Sequence, residues 1–517
     1  MKHKRFTIII IGLVLATAAS LFIVLGRLPD VSAAVAVDQR PAINPAFHDV
    51  TIPPNIAPIN FYVGEPGRRY CVKWRAKSGH SVTVVSRNAL INTPQRKWRR
   101  LLASARADDL LLDVYVESDD RIWRRYRSLV LHVATDTIDP FIAYRMLRPN
   151  FTFWRSVGVY QRDLESWDES DILHGRSFDD GCVNCHTFRN NSPDQMFLGI
   201  RGAQASATLL AQGGSVDKIN AKWGYTAWHP AGHIAIYTVM KVRQFLHHVG
   251  AEIRDVVDLD ASLLYYDTRS RSVKTARGLA DNQRLETYPT WSPDGRHLYF
   301  CSAPIPWQDR DTVPPVNFDK VRYDLRRISY DRETDTWGAP ETVLSAENTG
   351  MSILLPRISP DGNSLLFCMC DYGCFPIFRS SSDLYMLNLT SGAYTKLSVN
   401  TAQSESWHSW STNGRWIIFS SRRQGGHFTR LFISHVSADG KVGRPFILPQ
   451  KDPAYYDSLL ETYNVPEFIT GPVTVSRRAL VNAARRPPTI DVHNPLVTGA
   501  TPKGIVKDAS EPYRSSR

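Results

Sequence analysis

Two cysteines and a histidine stand together in Gly181-Cys182-Val183-Asn184-Cys185-His186-Thr187. C-x-x-C-H reads as the attachment site of one c-type haem. Two thiols at this spacing reach the two vinyl groups of a single haem, and the residue after the second cysteine then supplies the proximal imidazole from His186. C-x-x-C without its histidine could equally be a redox disulfide or half of a zinc site. A zinc site needs a second pair at a suitable distance, and the sequence has none. A thioredoxin-like site needs a βαβ setting, which the Asp- and Asn-rich flanks do not provide.

The sixth iron ligand is open to several residues. Met196 follows His186 by one short turn and opens an apolar run. A Met/His pair raises haem potential and serves electron transfer. Met196 reads equally well as core. His229 and His233 compete with it, and a vacant sixth position would permit ligand sensing or peroxidatic chemistry. Five further cysteines remain, Cys71, Cys301, Cys368, Cys370 and Cys374. This odd remainder is no disulfide framework. Cys368-Met369-Cys370 with Cys374 could bind a metal, but Cys368 and Cys370 share one face of a strand and read rather as small buried hydrophobes.

The elements that must hold these residues are β-strands. Tyr288-Pro289-Thr290-Trp291-Ser292-Pro293-Asp294-Gly295 is followed by the strand His297-Leu298-Tyr299-Phe300. Leu355-Pro356-Arg357-Ile358-Ser359-Pro360-Asp361-Gly362 and Trp407-His408-Ser409-Trp410-Ser411-Thr412-Asn413-Gly414 repeat the pattern, Thr226-Ala227-Trp228-His229-Pro230-Ala231-Gly232 follows it, and Ser192-Pro193-Asp194-Gln195 is a fainter copy. Each is strand, turn, strand, with Gly or Asn at the turn positions that need positive φ. Small sheets repeated radially are the expected architecture, because one such sheet cannot bury both faces alone. The copies lie further apart than the roughly 40–50 residues of a bare blade, and insertions near 241–259 and 304–320 account for the excess.

Ahead of the repeats, residues 61–150 read as a small β-rich domain with a short helix from Pro94 to Ala103. Residues 29–60 are rich in proline and read as a tether. Lys2, Lys4 and Arg5 precede an apolar run from Phe6 to Gly26. About 20 apolar residues span a bilayer, so residues 1–28 read as a signal anchor with its charged end in the cytoplasm. Cleavage near Val31-Ser32-Ala33 or Ala34-Val35-Ala36 is the alternative, and either route exports the body. The net charge of +12 fits an acidic partner or an anionic membrane face. The cations are scattered and no nucleic-acid motif accompanies them, which speaks against a nucleic-acid partner.

The Trp-Ser-Pro-Asp-Gly copies resemble the periplasmic TolB-type propeller. The chain as a whole resembles exported bacterial monohaem c-type cytochromes that join one C-x-x-C-H to a TolB-like propeller. The matching stretches are Ile52 to Pro58, Val159 to Leu164, Cys182 to Phe188, Ser409-Trp410-Ser411, Asn464 to Phe468 and Thr470 to Val473. The expected fold is therefore mainly β: a five- or six-bladed TolB-like β-propeller over 190–476, preceded by the β-rich domain and a short haem-binding segment over 151–200. Residues 477–517 read as a loose basic tail. Glu286, Glu405, Trp407 and His408 are candidates for a propeller mouth. The resemblance implies architecture rather than a substrate. The expected function is electron transfer on the periplasmic side of the inner membrane, with one covalent haem c on Cys182, Cys185 and His186 and iron ligation by His186 and Met196. The expected partners are the membrane, through the N-terminal anchor, and an envelope redox protein. An envelope scaffold with a structural or sensory haem, and a haem enzyme with an open sixth position, are the alternatives.

Overall fold

In the computed structural model each Ser-Pro-Asp-Gly turn is locked by its own serine. Ser292 Oγ accepts from His297 N and donates to Asp294, whose carboxylate accepts from Arg296 N. Ser359 and Asp361 do the same for the next copy, and Ser411 and Asn413 for the third. Gly295, Gly362 and Gly414 stand at φ 71°, 77° and 67°, where a side chain is disfavoured. These turns explain why the repeat is visible in the sequence. The structure describes residues 28–148, 156–202, 206–247, 254–307 and 315–496.

The chain divides into two compact units. In the first, residues 1–49 and 59–132, Arg69–Ala76 pairs antiparallel with Ser81–Ser86 on one side and Asp109–Glu117 on the other. The helix Gln95–Ser104 buries Trp98, Leu101 and Leu102. Trp98 meets Trp74 of the sheet edge-on at 5.2 Å.

The second unit, residues 50–58 and 133–517, is a β-propeller. Six antiparallel sheets are described, each beginning at an inner strand: β1 (Cys182–Phe188), β2 (Gly224–Trp228), β3 (Arg284–Trp291), β4 (Ser352–Ile358), β5 (Glu405–Trp410) and β6 (Thr462–Ile469). Each inner strand lies beside the next, and β6 returns to lie beside β1. Apolar layers fill the spaces between sheets. Phe197, Trp223, Trp228 and Tyr237 pack between the first two, and Ile236, Trp291, Phe300 and Ile328 between the next two.

The sheet that closes the ring draws on both ends of the unit. β6 pairs with Phe141–Leu147, which continues to Gly158–Asp163 and Glu169–His174. The sequence pattern assigns these strands to the β-rich domain over 61–150 and the haem-binding segment over 151–200, because no Ser-Pro-Asp-Gly turn marks them. Pairing the last strand with these early ones leaves neither edge of the gap unpaired. The segment read as a basic tail also differs. Ser476 caps the helix Arg477–Arg485, which buries Leu480, Ala483 and Ala484 in the layer that holds Val183 and Met196. Lys218 Nζ donates to the carbonyls of Ala484 and Arg486. The anchor read over 1–28 falls almost wholly outside the described residues. Among those described, no helix is long and apolar enough to cross a membrane.

Candidate functional site on the propeller axis

The C-x-x-C-H motif is the inner strand β1 itself, not a linker. Cys182 opens it as the register partner of Arg201. The pairing then slips by one residue between Asn184 and Thr187, and Cys185 takes φ 52°. Gly199 sits opposite. A Cβ there would lie 2.7 Å from Asn184 O, so only glycine admits the bulged strand.

The same bulge recurs on every inner strand. Its left-handed residue is Cys185, Tyr225, Tyr288, Leu355, Trp407 or Val465, with φ between 40° and 56°. Bulges redirect side chains, and the rings among these six meet one another. Tyr225 and Tyr288 are 4.2 Å apart, and each lies 5.9 Å from Trp407. Phe375 stands 6.0 Å from Trp407, and Tyr288 Oη donates to Cys374 O at 2.7 Å. Residues from different sheets touch here, so the cluster marks the propeller axis, and Cys185 belongs to that set.

His186 is buried, and neither ring nitrogen makes a hydrogen bond of full geometry, although the Val465 backbone lies close enough to act on the ring. Burial, with help from the Arg145 charge, drives its imidazole down to about 3, while the nearby Val465 backbone opposes this only in part. The ring is therefore neutral at physiological pH and its lone pair is free. Cys182 is buried, Cys185 half-buried, and both are free thiols. Burial pushes the Cys182 thiol up, while Arg201, Arg145 and Lys222 pull it down. Arg145 reaches from the closing sheet to donate to Asn184 Oδ1, and its Nε is buried without an acceptor. Two free thiols and a neutral imidazole in this order are side chains of the types that would hold a covalent haem. Among the described residues, no group of three or more His, Cys, Asp or Glu is placed to hold a metal ion. A haem iron needs only one or two protein ligands.

The other sequence candidates are dispersed. Met196 is opposite Phe188 on the neighbouring strand and is 1% exposed among Val183, Leu198 and Ile200. His229 bonds Gly295 O at 3.1 Å and accepts from Ala231 N, so it locks a turn in place of the usual serine. Glu405 accepts from Thr401 N and Ser421 Oγ, and Glu286 accepts from Asp281 N. Both carboxylates brace loops. His408 lies 3.7 Å from Cys368 and 3.0 Å from Leu366 O. Cys368, Cys370 and Cys374 are all buried, and burial pushes the Cys368 and Cys374 thiols well up, as inert core groups behave. Trp407 alone of the mouth candidates reaches the axis. Nothing in the sequence marks Arg145 or Tyr225 as site residues, and Val465 stands out only within the stretch Asn464 to Phe468. An available signal was the column formed by Cys185-His186-Thr187-Phe188 above Tyr288-Pro289-Thr290-Trp291.

No family model matches the chain, and no curated protein matches it either. Among solved structures, it is similar to TolB from Acinetobacter baumannii, with 14% identity, TM-score 0.41, and 69% of this chain and 78% of that one covered. It is also similar to Kuenenia stuttgartiensis hydrazine synthase (13%, TM-score 0.31, covering 48% and 63%). A third is the oligogalacturonate lyase from Vibrio parahaemolyticus (12%, TM-score 0.30, covering 65% and 100%). The propeller assignment rests on the chain's own sheets.

Proposed function

We propose that this protein is an exported c-type cytochrome whose one haem is joined to Cys182 and Cys185 and ligated by His186, and that it carries electrons in the cell envelope. The observation that carries the reading is His186: a buried, neutral imidazole directly after C-x-x-C, whose ring makes no hydrogen bond of full geometry and feels only the Val465 backbone as a hydrogen-bonding group. A bound haem supplies a one-electron couple. The chain's own part is to hold the imidazole neutral, to present two free thiols and to place the motif on the axis of a rigid propeller, which serves as the docking body. The basic charge of the chain suits an acidic redox partner. An N-terminal anchor would keep the body on the periplasmic side of the inner membrane.

Met196 favours a second reading of the same site. It is 1% exposed in the apolar layer of Val183, Leu198 and Ile200, as a core side chain is. A core role for Met196 would leave the sixth position open to an exogenous ligand, which fits a sensory or catalytic haem. Full-length protein matured in cells with intact haem-attachment machinery decides both points. The expected result is a Soret band and one added haem mass, both lost in Cys182→Ala/Cys185→Ala. A low-spin spectrum with a reversible potential favours electron transfer. A high-spin spectrum that responds to small ligands favours the second reading. Absence of haem from the mature protein removes both.

A further inference from the structure

In the first unit, Arg68, Arg69, Arg87 and Arg121 line a groove of about 380 Å³ together with Glu117. The groove forms where three neighbouring strands end together. Tyr70 pairs with Ser86 and Arg69 with Glu117, so the residues just beyond those pairs converge. Arg68 precedes the central strand, Arg87 follows one neighbour, and Arg121 sits in the turn after the other. That turn is fixed. Ser118 Oγ donates to Asp120, Ile122 N donates to the same carboxylate and Arg121 N to Ser118 O. Arg121 is thereby held at φ 62°, a conformation few non-glycine residues adopt.

Several other cations of the same unit are paired: Arg75 and Arg125 with Asp113, Arg124 with Asp120, Arg127 with Asp38 and Lys77 with Asp108. In the groove only Arg69 has a carboxylate, Glu117 at 3.8 Å. Among the described residues, Arg68, Arg87 and Arg121 form no ion pair. Four guanidinium groups against one carboxylate leave a net positive concavity that favours an anion.

The geometry points to this groove as a binding site for a phosphate-bearing anion. Every cation in it is arginine, whose planar fork binds phosphate oxygens in pairs. Its size suits a diphosphate or a single lipid headgroup better than a protein face. The site is independent of the haem reading.

The test uses the full chain. Calorimetric titration with inorganic diphosphate is expected to show saturable binding, weakened about tenfold by Arg68→Gln and again by Arg121→Gln. Arg99→Gln/Arg100→Gln, on the helix, is expected to bind like the parent and controls for overall charge. Vesicles of phosphatidylglycerol, set against phosphatidylcholine, identify the source. Displacement of diphosphate by phosphatidylglycerol that depends on Arg68 and Arg121 assigns a headgroup. Diphosphate binding that vesicles leave untouched assigns a free phosphate compound. No saturable binding, or binding equal in parent and groove variants, overturns the site. So does groove-dependent capture of an acidic protein without diphosphate binding. Unchanged thermal melting confirms that the variants fold.

Discussion

Cys185 and Trp407 occupy the same position on the inner strands of two different sheets, each at the left-handed residue of a β-bulge, with φ 52° and 45°. One is a thiol of the C-x-x-C-H motif and the other a large ring closing the axis. The shared geometry means that the motif borrows a backbone device already built into each inner strand. Because Trp407 is 5% exposed and meets Tyr225, Tyr288 and Phe375, Trp407→Ala opens a cavity on the axis. The expected cost is about 3–5 kcal/mol, read by urea unfolding. A loss below 1 kcal/mol would show that the rings do not form a packed plug.

Arg145 gives a prediction for the proposed haem. Its guanidinium adjoins Asn184 and acts on both Cys182 and His186, and it has no carboxylate partner among the described residues. A fixed cation beside an imidazole that held the iron would disfavour the ferric state. Arg145→Gln is therefore expected to lower the midpoint potential, and Arg145→Lys to restore most of it. Potentiometric titration of the matured protein reads both. Equal potentials in all three proteins would place the cation out of electrical reach of the iron.

The repeats were legible because their turns are chemical as well as periodic: a serine, an acid or amide and a glycine must recur for the turn to close. The C-x-x-C-H motif was legible for the same reason. The closing sheet was not. Phe141–Leu147 and β6 lie at opposite ends of the unit, and nothing local in either strand announces its partner. The place of the motif within the propeller was half visible. Its strand stands before Ser192-Pro193-Asp194 just as Tyr288 to Trp291 stands before Pro293-Asp294, but cysteine and histidine look unlike tyrosine and proline. The shared property is backbone conformation, which side-chain identity conceals. Arg145 was invisible because its contact with Asn184 is tertiary.

Glu286 sets a pH dependence. It is fully buried, one carboxylate oxygen has no partner, and burial pushes it from its ordinary 4.5 up to about 8. Between those values the folded chain holds a proton that the unfolded chain has released. Stability contributed by the neutral carboxyl is complete below pH 4.5 and is lost as pH rises towards 8, at no more than about 1.4 kcal/mol per unit. Glu286→Gln keeps the acceptor for Asp281 N and removes the ionisation. It should flatten this part of the stability profile and leave the variant the more stable protein at pH 8. A parallel decline in both proteins would assign the effect to another group, Glu467 first, since burial raises it to about 7.

Met196 separates core packing from iron ligation. Its thioether is 1% exposed and lies in the apolar layer with Phe188, Leu198 and the helix residues Leu480 and Ala483. Leucine has nearly the same volume, so Met196→Leu is expected to cost less than about 1.5 kcal/mol. Met196→Ala leaves a cavity and is expected to cost about 2–5 kcal/mol. If the residue is core, neither substitution changes the absorption spectrum of the oxidised or reduced haem, and stability alone records the difference. If its sulfur binds iron, both variants change the spectrum alike, because leucine offers no ligand. The two outcomes differ most in Met196→Leu, where packing survives and ligation cannot, so that variant should be measured first.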